Sequence, residues 1–207
     1  IGCIGMGGMG TSNLNGFLTK PEVRVVNVCD VDRKHALKAR DLVNTAYGNS
    51  DCRMTGDFRE ILADPAIDAV MIGTPDHWHG IMGVTAARAG KDIYAEKPLA
   101  YSIRGGRAIV DAVKRNEVIW QTGSWQRSQQ HFRFACELVR NGYIGKVHTV
   151  RVGLPYGNSI HEASLQPEEP PEWFNYDLWL GPAPWRPYSP ARCHWNFRWI
   201  SDYSGGQ

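Results

Sequence analysis

The stretch I-G-C-I-G-M-G-G-M-G, residues 1–10, decides the fold of this chain. An apolar run leads into Gly5, Gly7 and Gly10, which have G-x-G-x-x-G spacing, and a second run, V-R-V-V-N-V-C, ends at Asp30 about twenty residues later. Gly5 permits a tight turn, Gly7 lets the backbone approach a pyrophosphate, and Gly10 lets a helix pack closely on the strand. The pattern predicts a dinucleotide-binding βαβ unit. The alternative is a glycine turn that only packs such a unit.

Asp30 indicates which dinucleotide is bound. A carboxylate at the end of the second strand accepts hydrogen bonds from both adenosine ribose hydroxyls and repels a 2′-phosphate, so NAD is favoured over NADP. Arg33, three residues on, could soften that repulsion. The alternative role for Asp30 is a helix N-cap, which Asp32 would serve equally well.

Composition excludes several classes of protein. The 207 residues are 43% hydrophobic and carry a net charge of only +2, with no basic run, which argues against a nucleic-acid partner. No apolar stretch approaches the length of a membrane span. The five cysteines are odd in number and lack C-x-x-C spacing, so neither a disulfide framework nor a zinc site is expected. Cys3 and Cys29 are interpreted as small core residues.

Strand and helix patterns alternate along the first part of the chain. Strands are predicted at residues 1–5, 23–29, 69–72, 92–95 and 118–121, with a short one near 53–54; helices are predicted at 8–18, 33–45, 58–63, 78–89, 103–115 and 129–141. This order predicts an α/β fold with a doubly wound parallel sheet. Ligands are then expected at the carboxyl ends of the strands.

The composition and periodicity of the sequence change at Gly123. Residues 146–153 have strand-like alternation, residues 155–191 are rich in proline and tryptophan, and only 177–180 suggests a helical turn. We therefore divide the chain into a dinucleotide-binding domain, residues 1–122, and the beginning of a second domain, residues 123–207, whose remainder is expected to be absent. Both ends are expected to be interrupted, because the chain begins inside a strand and stops at Gln207 without completing an element.

Two motifs follow predicted strands. Thr74-Pro75 precedes Asp76-His77-Trp78-His79, where the two histidines of an H-x-H pair point to different helix faces, so cap and pocket-lining roles are preferred to a metal site. Glu96-Lys97-Pro98 follows the next strand and makes Lys97 a candidate proton carrier. On its own, this second motif is more often an exposed Glu–Lys pair on a loop.

Taken together, the motifs resemble a known family. G-M-G-G-M-G, C-D-V-D, T-P-D-H-W-H, A-E-K-P-L-A, Q-T-G-S-W-Q-R-S, N-G-Y-I-G-K-V and W-L-G-P-A-P-W-R-P-Y occur in the order seen in the glucose–fructose oxidoreductase / inositol dehydrogenase / rhizopine-catabolism (Gfo/Idh/MocA) family. The resemblance covers essentially the whole chain, and E-K-P is its most specific part. It implies that residues 123–207 begin an α+β second domain, most of whose open sheet is missing from these 207 residues.

The resemblance implies roles for individual residues. Lys97 would take part in proton transfer. The cofactor would be bound by Gly5, Met6, Gly7, Gly8, Met9 and Gly10 at the pyrophosphate, Asp30 at the adenosine ribose, Thr74, Pro75 and His79 along the path to the nicotinamide, Glu96 at the nicotinamide ribose, and Trp125, Gln126 and Arg127 beside the nicotinamide and substrate. Arg198, Trp199 and Tyr203 would approach from the second domain. No resident metal is expected.

The resemblance also implies an activity. The intact protein would be an NAD-dependent oxidoreductase that acts on a sugar or polyol, and would form a homo-oligomer. Two alternatives stay open: a glycosidase that uses NAD for transient oxidation, and a non-catalytic NAD-binding protein. In the family a catalytic histidine follows the D-Y-S-G-G stretch, beyond Gln207, so these 207 residues alone are expected to bind NAD without turnover. The compartment stays open: cytoplasmic, or exported if a leader peptide precedes Ile1.

Overall fold

The computed structural model describes residues 1–154, 160 and 165–206. Its six strands are β1 (Gly2–Ile4), β2 (Asn27–Cys29), β3 (Arg53–Thr55), β4 (Ala69–Ile72), β5 (Asp92–Glu96) and β6 (Trp120–Gly123). They form one sheet in the order β3-β2-β1-β4-β5-β6, and every pairing is parallel. The predicted doubly wound fold is confirmed. Its topological switch point lies between β1 and β4, which is where such sheets bind ligands.

Helices cover both faces of the sheet. They are α1 (Gly8–Leu18), α2 (Arg33–Tyr47), α3 (Phe58–Ala63), α4 (Asp76–Arg88), α5 (Ile103–Asn116), α6 (Gln130–Arg140) and α7 (Tyr176–Leu180). Alternating strand residues divide the core: Ile4 and Ile72 pack with α3, α4 and α5, while Cys3 and Met71 pack with α1 and α2. Burial raises the pKa of the Cys3 thiol to about 12, and Cys3 and Cys29 are both free and buried, which confirms their interpretation as core residues.

Predicted element boundaries are mostly right, and the two larger errors have local causes. Strand β2 begins at Asn27 rather than at residue 23, because the N–H of Val25 donates to the hydroxyl of Tyr47. Strand β6 begins at Trp120 rather than Val118, because the N–H of Val118 bonds to the carbonyl of Val113 at the end of α5.

The predicted strand at residues 146–153 is not formed. Residues 124–154 include no buried side chain, and no described strand lies beside 146–153 to pair with its backbone. The short helix predicted at 177–180 is present as α7.

The C-terminal segment, residues 165–206, folds back onto the dinucleotide-binding domain. Its buried residues form a separate cluster of Phe174, Tyr176, Trp179, Leu180, Tyr188, Cys193, Phe197 and Tyr203. The N–H of Arg33 donates to the carbonyl of Trp173, and the N–H of Asn175 donates to that of Val31. The segment therefore docks beside the loop that follows β2.

Within these ranges, the helices are all too short or too polar to cross a lipid bilayer.

Candidate active site

A cleft of about 770 Å³ opens above the carboxyl ends of the strands. The loops that follow β1, β2, β4 and β5 line one side of it, and residues of the C-terminal segment line the other. The cleft thus lies at the switch point that the strand order creates.

The glycine turn after β1 has the geometry that its spacing predicts. Gly5 has φ +82°, and a Cβ there would lie 2.8 Å from the backbone of Gly73 and Thr74. A Cβ on Gly10 would lie 1.7 Å from the Gly5 carbonyl oxygen, because α1 crosses the turn closely. A Cβ on Gly7 would meet nothing within 4 Å. The space above Gly7 is therefore open to a ligand, while Gly5 and Gly10 are required by the fold.

The residues of the turn divide into two groups. Gly5, Gly7, Gly8 and Met9 line the cleft. The side chain of Met6 is buried, and only its N–H points toward the site, where it donates to Oδ2 of Asp30 at 2.6 Å. No side chain caps the N-terminus of α1, so its first N–H groups remain available to an anion.

Asp30 and Asp32 have separate roles. Asp32 is the N-cap of α2, and its Oδ1 accepts from the N–H of Lys34 at 2.8 Å. Asp30 lines the cleft with its side chain 10% exposed, and its Oδ1 accepts from the N–H of Asp32 at 2.8 Å. A carboxylate with these contacts retains lone pairs for ribose hydroxyls. The capping alternative for Asp30 is therefore not needed.

Two histidines that the sequence did not single out lie at the Asp30 corner of the cleft. His35 Nδ1 is 3.6 Å from Oδ2 of Asp30, and the hydrogen bond to that carboxylate raises the pKa of His35. His194, from the C-terminal segment, makes an edge contact with His35 at 5.6 Å between ring centroids, and burial lowers its pKa. The signal that could have identified His35 is its position one helical turn after Asp32.

The same corner holds a cluster of potential metal ligands. Ligand atoms of Asp32, His35 and His194 lie within 4.8 Å of one another. However, the cluster lies at the positive end of the α2 dipole, and Lys34 and Lys38 stand on the same helix. This positive charge opposes a cation, and the expectation of no resident metal stays a prediction.

The loop after β4 presents a free polar group to the cleft. Thr74 and Pro75 both line it. Oγ1 of Thr74 is buried and has no hydrogen-bond partner among the residues described. A buried hydroxyl beside a ligand cleft is suited to a hydrogen bond with that ligand.

The loop after β5 brings Glu96, Lys97 and Pro98 to the cleft. Glu96 is 4% exposed, its Oε1 accepts from Nδ2 of Asn13 on α1 at 3.0 Å, and its Oε2 accepts from the Lys97 N–H at 3.3 Å. Lys97 is exposed, and its Nζ donates to no group in the described part of the chain. Asn13 carries no sequence signal beyond being a polar residue three positions after Gly10.

The two histidines of α4 lie behind the cleft and do not line it. His77 Nε2 is 3.0 Å from the carbonyl oxygen of Trp179, and burial lowers the pKa of His77. His79, which we expected along the cofactor path, is 1% exposed. Its Nδ1 lies 2.6 Å from the Pro98 carbonyl oxygen and its Nε2 lies 2.9 Å from that of Thr74.

Of the remaining predicted site residues, some line the cleft and others lie apart from it. Trp125 and Arg127 belong to an exposed 3₁₀ turn, Trp125–Ser128, after β6. Because β6 is an edge strand two positions from β4, this turn does not reach the lining, and the cofactor roles of both residues stay predictions. From the C-terminal segment, Arg198 lines the cleft, whereas Tyr203 is fully buried in the segment's own cluster.

The residues present fit a dinucleotide. The open space over Gly7, the uncapped start of α1, the Asp30 carboxylate and the Thr74 hydroxyl belong to a single cleft, and the strand order β2-β1-β4 places the glycine turn between Asp30 and Thr74. They match the requirements of a pyrophosphate, a ribose and a polar group further along the ligand.

Comparison with known proteins agrees with this geometry. The model of an oxidoreductase family with an NAD-binding Rossmann fold matches residues 1–124, and the model of its C-terminal alpha/beta domain matches residues 136–207. The chain belongs to the Gfo/Idh/MocA oxidoreductase family. The Gfo/Idh/MocA resemblance of the motifs and the Rossmann fold are thereby confirmed; the domain boundary at residue 122 stays a prediction.

Gfo/Idh/MocA relatives include proteins with different activities. The chain is 30% identical over 154 residues to myo-inositol 2-dehydrogenase of Thermotoga maritima, covering 73% of this chain and 44% of that one. It is 28% identical over 181 residues to alpha-N-acetylgalactosaminidase of Shewanella oneidensis, covering 82% and 36%. The crystal structure of myo-inositol 2-dehydrogenase from Lactobacillus plantarum matches with a TM-score of 0.62 at 26% identity, covering 70% and 42%. The chain spans less than half the length of the relatives it matches.

Proposed function

We propose that the protein transfers a hydride between NAD and a hydroxyl-bearing carbon of a sugar or polyol, with Lys97 carrying the hydroxyl proton. The observation that supports this most is the position of Lys97. It is exposed and lines the same cleft as the glycine turn and Asp30, at the carboxyl end of β5, the strand next to β4. The dehydrogenase relatives supply the substrate class.

Each group of residues has one task in this proposal. Gly7 and the start of α1 hold the pyrophosphate, Asp30 binds the adenosine ribose and favours NAD over NADP, and Glu96 binds the nicotinamide ribose. When bound, NAD supplies the hydride acceptor or donor. Lys97 accepts the substrate hydroxyl proton during oxidation and returns it during reduction, so the proton and the hydride leave the same C–O–H unit.

Replacement of Lys97 tests the proposal. In the full-length enzyme, Lys97→Ala should lower kcat by roughly 100- to 10,000-fold, the range for a positioned proton carrier. NAD affinity should be preserved, because the pyrophosphate and adenosine contacts are made by other residues. Lys114→Ala, on the last turn of α5, is the matched control and should leave both quantities unchanged. Near-normal turnover of Lys97→Ala would assign the proton to another residue.

A second candidate function is glycosidic-bond cleavage assisted by transient oxidation. The Shewanella alpha-N-acetylgalactosaminidase aligns with 82% of this chain, whereas the Thermotoga dehydrogenase aligns with 73%. This longer alignment supports the glycosidase as the second candidate. Release of an aglycone from a nitrophenyl glycoside without net NADH would identify the glycosidase, and net NADH from a free sugar or polyol would identify the dehydrogenase. NAD binding without either product would leave a binding protein.

Oligomerisation of the whole protein, expected from the family resemblance, stays a proposal. Sedimentation of the full-length protein would test it.

A further inference from the structure

His79 makes two polar contacts with two different loops of the cleft. Its side chain is 1% exposed in the first turn of α4. Nδ1 faces the carbonyl oxygen of Pro98 in the loop after β5, and Nε2 faces that of Thr74 in the loop after β4. At 2.6 and 2.9 Å, both distances are those of hydrogen bonds.

The chemistry of these contacts fixes what His79 must supply. Carbonyl oxygens only accept, so a ring nitrogen can bond to either of them only as the donor; both contacts are hydrogen bonds at once only in the cationic ring, in which both nitrogens carry hydrogen. Among side chains of this size, only histidine places two such nitrogens on a rigid ring. The rigid ring therefore sets the separation between the two carbonyl groups, and so between the two loops.

Pro98 directly follows Lys97, whose side chain has no anchor of its own in the described structure. On the other side of Lys97, the Glu96 carboxylate is held by Asn13. The backbone on either side of Lys97 is therefore restrained, by Asn13 through Glu96 and by His79 through the Pro98 carbonyl.

We propose that His79 is a positioning residue that keeps the Lys97 loop at a fixed distance from the loop that carries Thr74. These two loops flank the site proposed for the nicotinamide and the substrate. This inference rests on the proposed role of Lys97, and it replaces the direct cofactor contact expected for His79. His79 does not touch the cleft; it acts through the Pro98 and Thr74 carbonyls.

His79→Gln provides the test in the full-length enzyme, because glutamine has one donor nitrogen and can reach only one of the two carbonyls. We expect kcat to fall by about 10- to 100-fold, the effect of a displacement near 1 Å at a reacting group. The Kd for NAD should stay as in the wild type, because the pyrophosphate and adenosine contacts are distant. Hydrogen exchange should accelerate around Lys97 and not elsewhere in the sheet.

His77→Gln is the matched control. His77 lies two residues earlier on the same helix and is also buried, but it bonds to Trp179 rather than to either loop. It should lower the thermal midpoint without lowering kcat. An unchanged kcat in His79→Gln, or an equal loss of kcat in both variants, would overturn the inference.

Two further measurements keep the outcomes separate. In the wild type, nitrogen-15 NMR of the His79 ring should show a ring N–H that exchanges slowly with water because it is held by a carbonyl; a ring N–H that exchanges freely overturns the inference even if no His79 variant folds. Lys97→Ala is assayed in parallel. If Lys97→Ala is inactive and His79→Gln is normal, only the positioning role fails; if Lys97→Ala is fully active, the proposed proton transfer fails as well.

Discussion

Nδ2 of Asn13 donates a hydrogen bond to Oε1 of Glu96 at 3.0 Å, joining α1 to the end of β5. The pair is partly buried and links residues 83 positions apart in the sequence. On the other side, Gly123 leaves room for the carboxylate, since a Cβ there would lie 2.9 Å from Glu96 Oε1. Glu96 is therefore fixed by a helix and by a neighbouring strand before any ligand arrives.

Removal of this anchor should weaken NAD binding. Asn13→Ala leaves Oε1 of Glu96 without its donor, and we expect a loss of about 0.5–1.5 kcal/mol in NAD binding, or roughly two- to tenfold in Kd. Asn15→Ala, on the exposed face of the same helix, is the control. Calorimetric titration with NAD measures both. Equal affinities in the two variants would show that Glu96 does not need Asn13.

The glycine turn offers a second test, because its glycines serve different purposes. Gly7→Ala should keep the fold and lose NAD affinity, since the added methyl group enters only the open space of the cleft. Gly10→Ala should destabilise the fold itself, since its Cβ would overlap the Gly5 carbonyl. Gly16→Ala, at an open helix position, is the control and should add about 0.5–1 kcal/mol of stability. Thermal unfolding followed by circular dichroism measures the stability of the three variants, and titration with NAD measures their affinity. Strong NAD binding by a folded Gly7→Ala variant would mean that the turn only packs the sheet.

The fold was largely predictable because local and tertiary signals agree. Strands of a parallel sheet are buried on both faces, so they are visible in the sequence as apolar runs. The glycine spacing then predicts the turn and helix that connect β1 to β2. The strand predicted at 146–153 failed for a different reason: alternation creates a strand only where a neighbour completes the hydrogen bonds, and none of the described strands lies there.

The site was predictable only where the chain itself carries the signal. Asp30 and Lys97 follow strands directly, so the sheet delivers them to the cleft. Asn13 and His194 reach it through long-range packing, which leaves no periodic trace in the sequence. The motif identified His79, but we predicted a direct contact between its side chain and the cofactor. Sequence spacing does not show that the ring instead faces the Pro98 and Thr74 carbonyls behind the cleft.

Cofactor preference should depend on Asp30. Asp30→Ala removes a charged acceptor of the ribose hydroxyls and should cost on the order of 1.5–3 kcal/mol in NAD binding while narrowing the gap to NADP. Asp111→Ala, an exposed carboxylate on α5, controls for the change in net charge. Titration with NAD and NADP tests this. Equal affinities of the unmutated protein for the two cofactors would disprove the assignment.

The pH dependence of stability should reveal His77. Burial lowers the pKa of His77 in the folded state, whereas the unfolded chain takes up the proton near the ordinary value of about 6.5. Folding then excludes a proton that the unfolded state binds, so the contribution of His77 is complete above that value and is lost as the pH falls toward the folded pKa.

His77→Gln isolates this effect, because His35 and His194 titrate in both proteins and cancel in the comparison. The difference in unfolding free energy between wild type and His77→Gln should shrink below pH 6.5 by up to about 1.4 kcal/mol per pH unit. Urea unfolding at several pH values between neutral and mildly acid measures it. A difference that stays constant over this range would mean that His77 takes up its proton as readily in the folded protein as in the unfolded chain, despite its burial against Trp179.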